Sequence, residues 1–456
     1  MDCNRRHIMK FLGASSTFTL AGCSQFSNSG SEANTDQPSD SNHTDTSQPQ
    51  TSDNVTAPTQ QLHKIIPSDG DRKDAFGEGV AISGDGTTAI IGADGDDDNG
   101  RNAGSTYVFM QREGGWKRED KLFGDESEGS LSFGASVAVS NDGSIALIGA
   151  PSESGPEGDR LGAAYVFVQT GGGWSQQAKL NVPGDGSEFG SRVAISGDGA
   201  TALISASHAS NSNGEYAGSA YIFSKEDGEW TQEAKLIAND GDGTDFFGTD
   251  VAISGDGTTA IIGASADEDP NGPRAGSTYV FVRENGSWTQ RTKLTAPNGE
   301  MSDGFGTSVA VSGDGTTALI GANGEDNSNG ENAGSTHVFS QENDGWTQET
   351  KLVAKNGTDD DSFGIAVAVS EDGTTAIIGS YTDAEPNGNY AGSAYAFSRV
   401  DENWTQQAKL VANDGSKNDR FGESVTVSND GTIAIIGAYN ADSPNGQFSG
   451  SAYVFK

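Results

Sequence analysis

The chain has 456 residues, 33 % of them apolar, and carries 65 acidic against 27 basic side chains for a formal net charge of −38. A surplus of this size and sign excludes nucleic acid and anionic membrane surfaces as electrostatic partners. With only Cys3 and Cys23, a disulfide-stapled scaffold is excluded as well.

The chain opens with Asn4-Arg5-Arg6-His7-Ile8-Met9-Lys10, then a mildly apolar stretch, then Leu20-Ala21-Gly22-Cys23. The stretch is too short and too hydroxylated to span a bilayer. The first segment resembles a twin-arginine export signal carried by Arg5 and Arg6, with Asn for the usual Ser or Thr. The second resembles a lipoprotein processing box. Together they imply that residues 1–22 are a signal peptide, cut before Cys23, and that Cys23 takes the lipid. The expected location is the outer face of the cytoplasmic membrane, at the cell surface, and the mature chain would hold no disulfide. Residues 23–60 follow as a spacer of Ser, Thr, Asn, Asp, Gln and Pro that cannot bury a core. As a flexible chain it would reach roughly 30–35 Å. Asn42-His43-Thr44 and Asn54-Val55-Thr56 within it are glycosylation sequons.

From residue 61 onward one block recurs. Phe-Gly occurs at Phe76, Phe133, Phe189, Phe247, Phe305, Phe363 and Phe421, spaced 56 to 58 residues apart. Residues 247–294 show its content. Val251–Ser254, Thr259–Ala264, Ser277–Phe281 and Trp288–Leu294 are short runs rich in Val, Ile, Thr, Tyr and Phe, bounded by Gly, Asn and Asp. These read as four strands, here A to D, with no sustained helical period. Every A–B connection contains Ser-x-Asp-Gly, whose Asp-Gly suits a tight hairpin. The Gly of Ile-Gly-Ala in strand B marks a bend or a close approach to a neighbour. The Trp opening strand D is expected to pack between adjacent units.

The two ends complement each other. The seventh unit stops after strand C at Lys456, while Gln61–Ile66 matches the end of a D strand and has no unit of its own. A ring explains both facts. The expected fold is all-β: a seven-bladed β-propeller of four-stranded blades over 61–456, closed by residues 61–66 completing the last blade. Phe-Gly, Ile-Gly-Ala and Gly-Ser-x-Tyr-Val-Phe together resemble the FG-GAP repeats of integrin alpha-chain propellers and their prokaryotic relatives. The calcium loops of such repeats would need an Asp-rich A–B connection of about nine residues; here that turn is only x-Asp-Gly, so those ligands do not carry over.

In such a ring the D–A and B–C connections share one face, and these long loops hold more than half of the acidic residues. Long loops on a rigid scaffold are where binding residues concentrate. The candidate ligands for a hard cation such as calcium are Asp94, Asp96, Asp98, Asp240, Asp242 and Asp245, and no other cofactor is expected. Asp74, Asp245, Asp303, Asp361 and Asp419, each two before Phe-Gly, read instead as turn residues accepting backbone N–H bonds. The folded part has only His63, His208 and His337, and no nucleophile elbow or phosphate loop, so no catalysis is expected. The acidity, export signal and processing box together are similar to surface lipoproteins of halophilic archaea. These features point to a lipid-anchored, monomeric binding or adhesion propeller that engages a surface protein or glycan through its acidic long-loop face. Two alternatives stand beside it: an extracytoplasmic polysaccharide-active enzyme with carboxylates at the channel mouth, and a structural envelope component.

Overall fold

The computed structural model describes residues 57–456, apart from 125–129, 155–159, 183, 185–186, 269–270 and 344. The signal and lipidation residues Arg5, Arg6 and Cys23 lie outside the described residues, as does the spacer up to residue 56. Strand β1 (Gln61–Ile65) comes first; β2 (Val80–Ile82), β3 (Thr88–Ala93), β4 (Ser105–Arg112) and β5 (Gly115–Leu122) then form the first antiparallel blade. The same meander recurs over 137–180, 193–236, 251–294, 305–352 and 367–410. The seventh blade has only Val425–Val427, Ala434–Ala438 and Ser451–Phe455 of its own, and β1 pairs with the last of these as the fourth strand. Among the described residues there is no helix. Residues 57–60, expected in the spacer, already belong to the fold: Ala57 is buried, and Gln60 exchanges backbone bonds with Lys456.

Why these segments become strands follows from where their faces go. Strand B, as in Thr88–Ala93, is buried along its whole length because a blade packs on both sides of it. Seven core clusters result, each drawing on two adjacent blades. The repeated Phe is fully buried at each seam and meets the aromatic side chains of strand C edge-on, as Phe76 does with Tyr107 at 5.3 Å and Phe109 at 6.0 Å. Such pairs add roughly 0.5–1.5 kcal/mol beyond area burial. Trp174 sits in the core between the first and second blades. Trp230 packs on the next seam and donates Nε1 to Gln177 of the preceding blade at 3.1 Å.

The A–B hairpins close one end of the ring. In each, the Ser hydroxyl donates to the Asp, and the Asp accepts the N–H two residues on, as with Ser83, Asp85 and Thr87 at 2.6 and 2.9 Å. Burial opposes ionisation of Asp85, but these donors outweigh it and hold its carboxyl below the usual range. Neighbouring hairpins are joined backbone to backbone: Gly84 donates to Asn141, Asn141 to Gly197, Gly197 to Gly255, Asp256 to Gly313, Gly313 to Glu371, Glu371 to Asn429, and Asn429 to Gly84. Glu371 lies over this ring. A Cβ on Gly255 or Gly313 would fall 2.4 or 2.0 Å from its side chain, and its carboxylate accepts from Asn141 on the far side.

A second repeated device sits under the long loops. A buried carboxylate accepts the strand C Tyr hydroxyl and pairs with a strand D Lys, as Asp383 does with Tyr395 and Lys409, both at 2.7 Å. In the fifth blade His337 replaces the Tyr. Its Nε2 lies 2.7 Å from Glu325, but its Nδ1 is buried with no partner. His337→Tyr is therefore expected to raise stability by about 1 kcal/mol, in the range of consensus substitutions. Urea denaturation checks this; a lower midpoint would mean the imidazole fills its site better than a phenol.

Candidate functional site

Each strand A is entered through Phe-Gly-x-y-Val, and the x and y side chains approach the ring axis at the long-loop end. Where a position is the same in all seven copies, the fold uses it. The x and y positions vary, and in four blades they carry charge: Glu78, Arg192, Asp250 and Glu423. These four, with residues of all seven blades, line a cavity of about 300 Å³ on the axis. It opens toward the long loops, because Glu371 and the ring of hairpin bonds lie across the other end.

The charges are interlocked. Arg192 Nε lies 3.7 Å from Asp250 Oδ1, while Asp250 Oδ2 accepts the Val309 N–H of the next blade at 2.8 Å. Arg420, just before the seventh Phe-Gly, donates to Tyr439 Oη at 2.6 Å and lies 3.9 Å from Glu423. Its guanidinium also sits 5.2 Å from the Tyr381 ring centroid and 5.7 Å from that of Tyr439, a cation–π arrangement. Burial pushes the Glu78 carboxyl up to about 8, with the charges of Asp94 and Glu423 adding to it and Arg192 and Arg420 opposing. Burial also raises Glu423, against Arg420 and Arg192, and raises Asp250 and Asp94. The Tyr439 phenol is pushed up to about 12 by burial and by Glu423 and Glu78. Glu78, protonated at neutral pH, is thus a donor in the lining of the cavity beside Arg192, Asp250 and Glu423, and Arg420 stands behind Glu423.

The surrounding loops are braced. The Asp two before Phe-Gly accepts the N–H three residues earlier, as Asp303 does from Glu300 at 2.7 Å, which is the turn role expected from its spacing. An Asn of the B–C loop donates to the D–A loop of the same blade, as Asn329 does to Ala354 O at 2.7 Å. On this rigid face Tyr216, Tyr390 and Phe448 are 48, 49 and 39 % exposed. All three sit at left-handed backbone angles, φ 56°, 58° and 58°, where Asn102 and Asn332 stand in other blades. Bulky side chains rarely occupy that region, so the aromatic choice is not one the local backbone favours.

The six acidic residues named as cation ligands do not converge. Asp96 is buried and accepts from Ser105 and Tyr107, and Lys121 pairs with both Asp96 and Asp98. Lys293 pairs with Asp240, and Asp245 accepts the N–H of Asp242. Asp94 alone reaches the charged groups at the axis, beside Glu78. Among the described residues no group of three or more His, Cys, Asp or Glu is placed to hold a metal ion. Glu78, Arg192, Asp250, Arg420 and Glu423 were not singled out in sequence, although their departure from the repeat at x, y and the residue before Phe-Gly was visible there.

Comparison with protein families gives one result: the FG-GAP repeat matches seven times, at 59–109, 116–167, 174–223, 230–281, 288–339, 346–397 and 404–455. No curated protein matches the chain significantly.

Proposed function

As this chain belongs to the FG-GAP repeat family, whose propeller is a scaffold that does not itself specify an activity, we propose that it is a surface-displayed binding propeller. The lipid carried at Cys23 holds it to the outer face of the cytoplasmic membrane, and the long-loop face engages a surface protein or glycan. One observation carries this reading: on that face the side chains depart from the sevenfold pattern in ways the fold does not require, with charge at the axis and exposed aromatic rings on the loops. The braced loops support it, since a preorganised surface loses little entropy on binding. The high acidity serves solubility in a salt-rich exterior.

The test uses the full chain and the envelope fraction of the cell that makes it. Saturable association is expected, and the triple substitution Tyr216→Asn, Tyr390→Asn, Phe448→Asn is expected to abolish it. Asn already stands at this position in two blades, so the variant should melt like the parent. Association that never saturates, or that survives the substitutions, would defeat the proposal. A second reading, polysaccharide cleavage, is favoured by Glu78, held protonated next to Glu423. Release of reducing ends from envelope polysaccharide, lost in Glu78→Gln, would establish that reading in place of binding alone.

A further inference from the structure

We propose that the axial cavity takes a single neutral sugar ring, the free end or a side branch of a glycan. This rests on the surface-binding reading and names the ligand class its centre would recognise. Arg192 and Arg420 oppose an incoming cation. An anion finds no unpaired guanidinium, because Arg192 already pairs with Asp250 and Arg420 with Glu423. An apolar ligand would strip water from all of these groups with nothing in return. What remains is an uncharged ligand bearing many donors and acceptors.

A polyhydroxylated ring meets that description, because each hydroxyl both donates and accepts. The groups it would use are held ready. The Arg420 guanidinium is fixed by the Tyr439 hydroxyl and the rings of Tyr381 and Tyr439. Glu423 Oε2 is buried 3.9 Å from Arg420 and has no hydrogen-bond partner. Protonated Glu78 supplies a donor beside it. Size and shape limit the ligand to its end. About 300 Å³ lies at the low limit of small-molecule pockets. Glu371 and the hairpin ring obstruct the far end, so a polymer cannot thread through.

Titration calorimetry on the full-length protein tests this with the methyl glycosides of glucose, galactose, mannose and N-acetylglucosamine, and with glucosamine and glucuronate as charged counterparts. At least one neutral glycoside is expected to bind. Arg420→Ser and Glu423→Thr should each weaken it about tenfold or more, the loss of one charge-assisted hydrogen bond. Ser occupies the first position in the second and sixth blades and Thr the second position in the fourth and fifth, so both variants keep residues the fold already accepts. Binding of a charged sugar alone, no binding by any of the four neutral glycosides, or binding indifferent to both substitutions would each overturn the proposal. If envelope association persists without sugar binding, this inference alone fails; if both are absent, the surface-binding reading fails with it.

Discussion

Deleting residues 57–66 is expected to produce the largest loss of stability of any short deletion in the described chain. The deletion removes β1, the only fourth strand available to the seventh blade. Ile65, 4 % exposed, leaves the core cluster between the seventh and first blades, and Ala57 leaves the cluster between the sixth and seventh. The Lys64–Asp414 pair at 2.7 Å and the bond from Asn413 N–H to Gln61 Oε1 go too. Ile65 alone accounts for about 2–5 kcal/mol as a large-to-small core change, a substantial part of the roughly 5–15 kcal/mol that holds a domain together. The deletion also bares the edge of Ser451–Phe455, a template for pairing between molecules. Both consequences are measurable: a lower urea midpoint, and dimers or larger species in size-exclusion chromatography. A monomer with an unchanged midpoint would show that the ring holds without its closing strand.

Gly321→Ala is expected to cost about 3 kcal/mol, the upper part of the range for overpacking. This residue sits in strand B of the fifth blade, where its Cβ would fall 2.0 Å from Gly364 O of the next blade and 2.3 Å from Ser308 Oγ. One of the two obstacles is backbone, so relief requires the neighbouring blade to move. Gly92, Gly149, Gly263, Gly379 and Gly437 meet the same carbonyl at 1.9 to 2.0 Å. The third blade provides an internal control, because Ser205 stands there instead. Its hydroxyl accepts the Arg192 N–H at 3.0 Å, and the following blade leaves more room. A Cβ on Gly248 would lie 3.1 Å from Ser219 O, against 2.4 Å for Gly306 and Ser277 O. Ser205→Gly should therefore shift the midpoint by less than about 1 kcal/mol. A loss of less than about 1 kcal/mol in Gly321→Ala would mean that the neighbouring blade gives way to the added methyl group at little cost.

The architecture was legible because each copy of the repeat states its local structure independently and the copies agree. Ser-x-Asp-Gly announced the hairpin, and the structure adds the hydroxyl and carboxylate that lock it. The orphan segment at 61–66 and the missing strand after Lys456 announced the closure, which β1 supplies. The Gly of strand B was readable as a bend or a close approach, and the built contacts select the second. The loop carboxylates were harder to read. Counted along the chain, Asp94, Asp96 and Asp98 look like one set of ligands. Space divides them, because Lys121 comes from strand D to pair with two of them while the third turns to the axis.

The blade, the number of blades and the way the ring shuts are therefore legible in the chain alone. All three follow from local turn chemistry and from a period that can be counted. The charged cavity was decided only by the tertiary structure. Glu78, Arg192, Asp250 and Glu423 belong to four different copies of the repeat, and they meet because seven strands converge on one axis once the ring is closed. Until then each is a single departure in its own copy, and no pattern within one repeat distinguishes it from ordinary surface variation. Their raised carboxyl pKa values arise at the same step, since burial and the neighbouring charges exist only after the blades have come together.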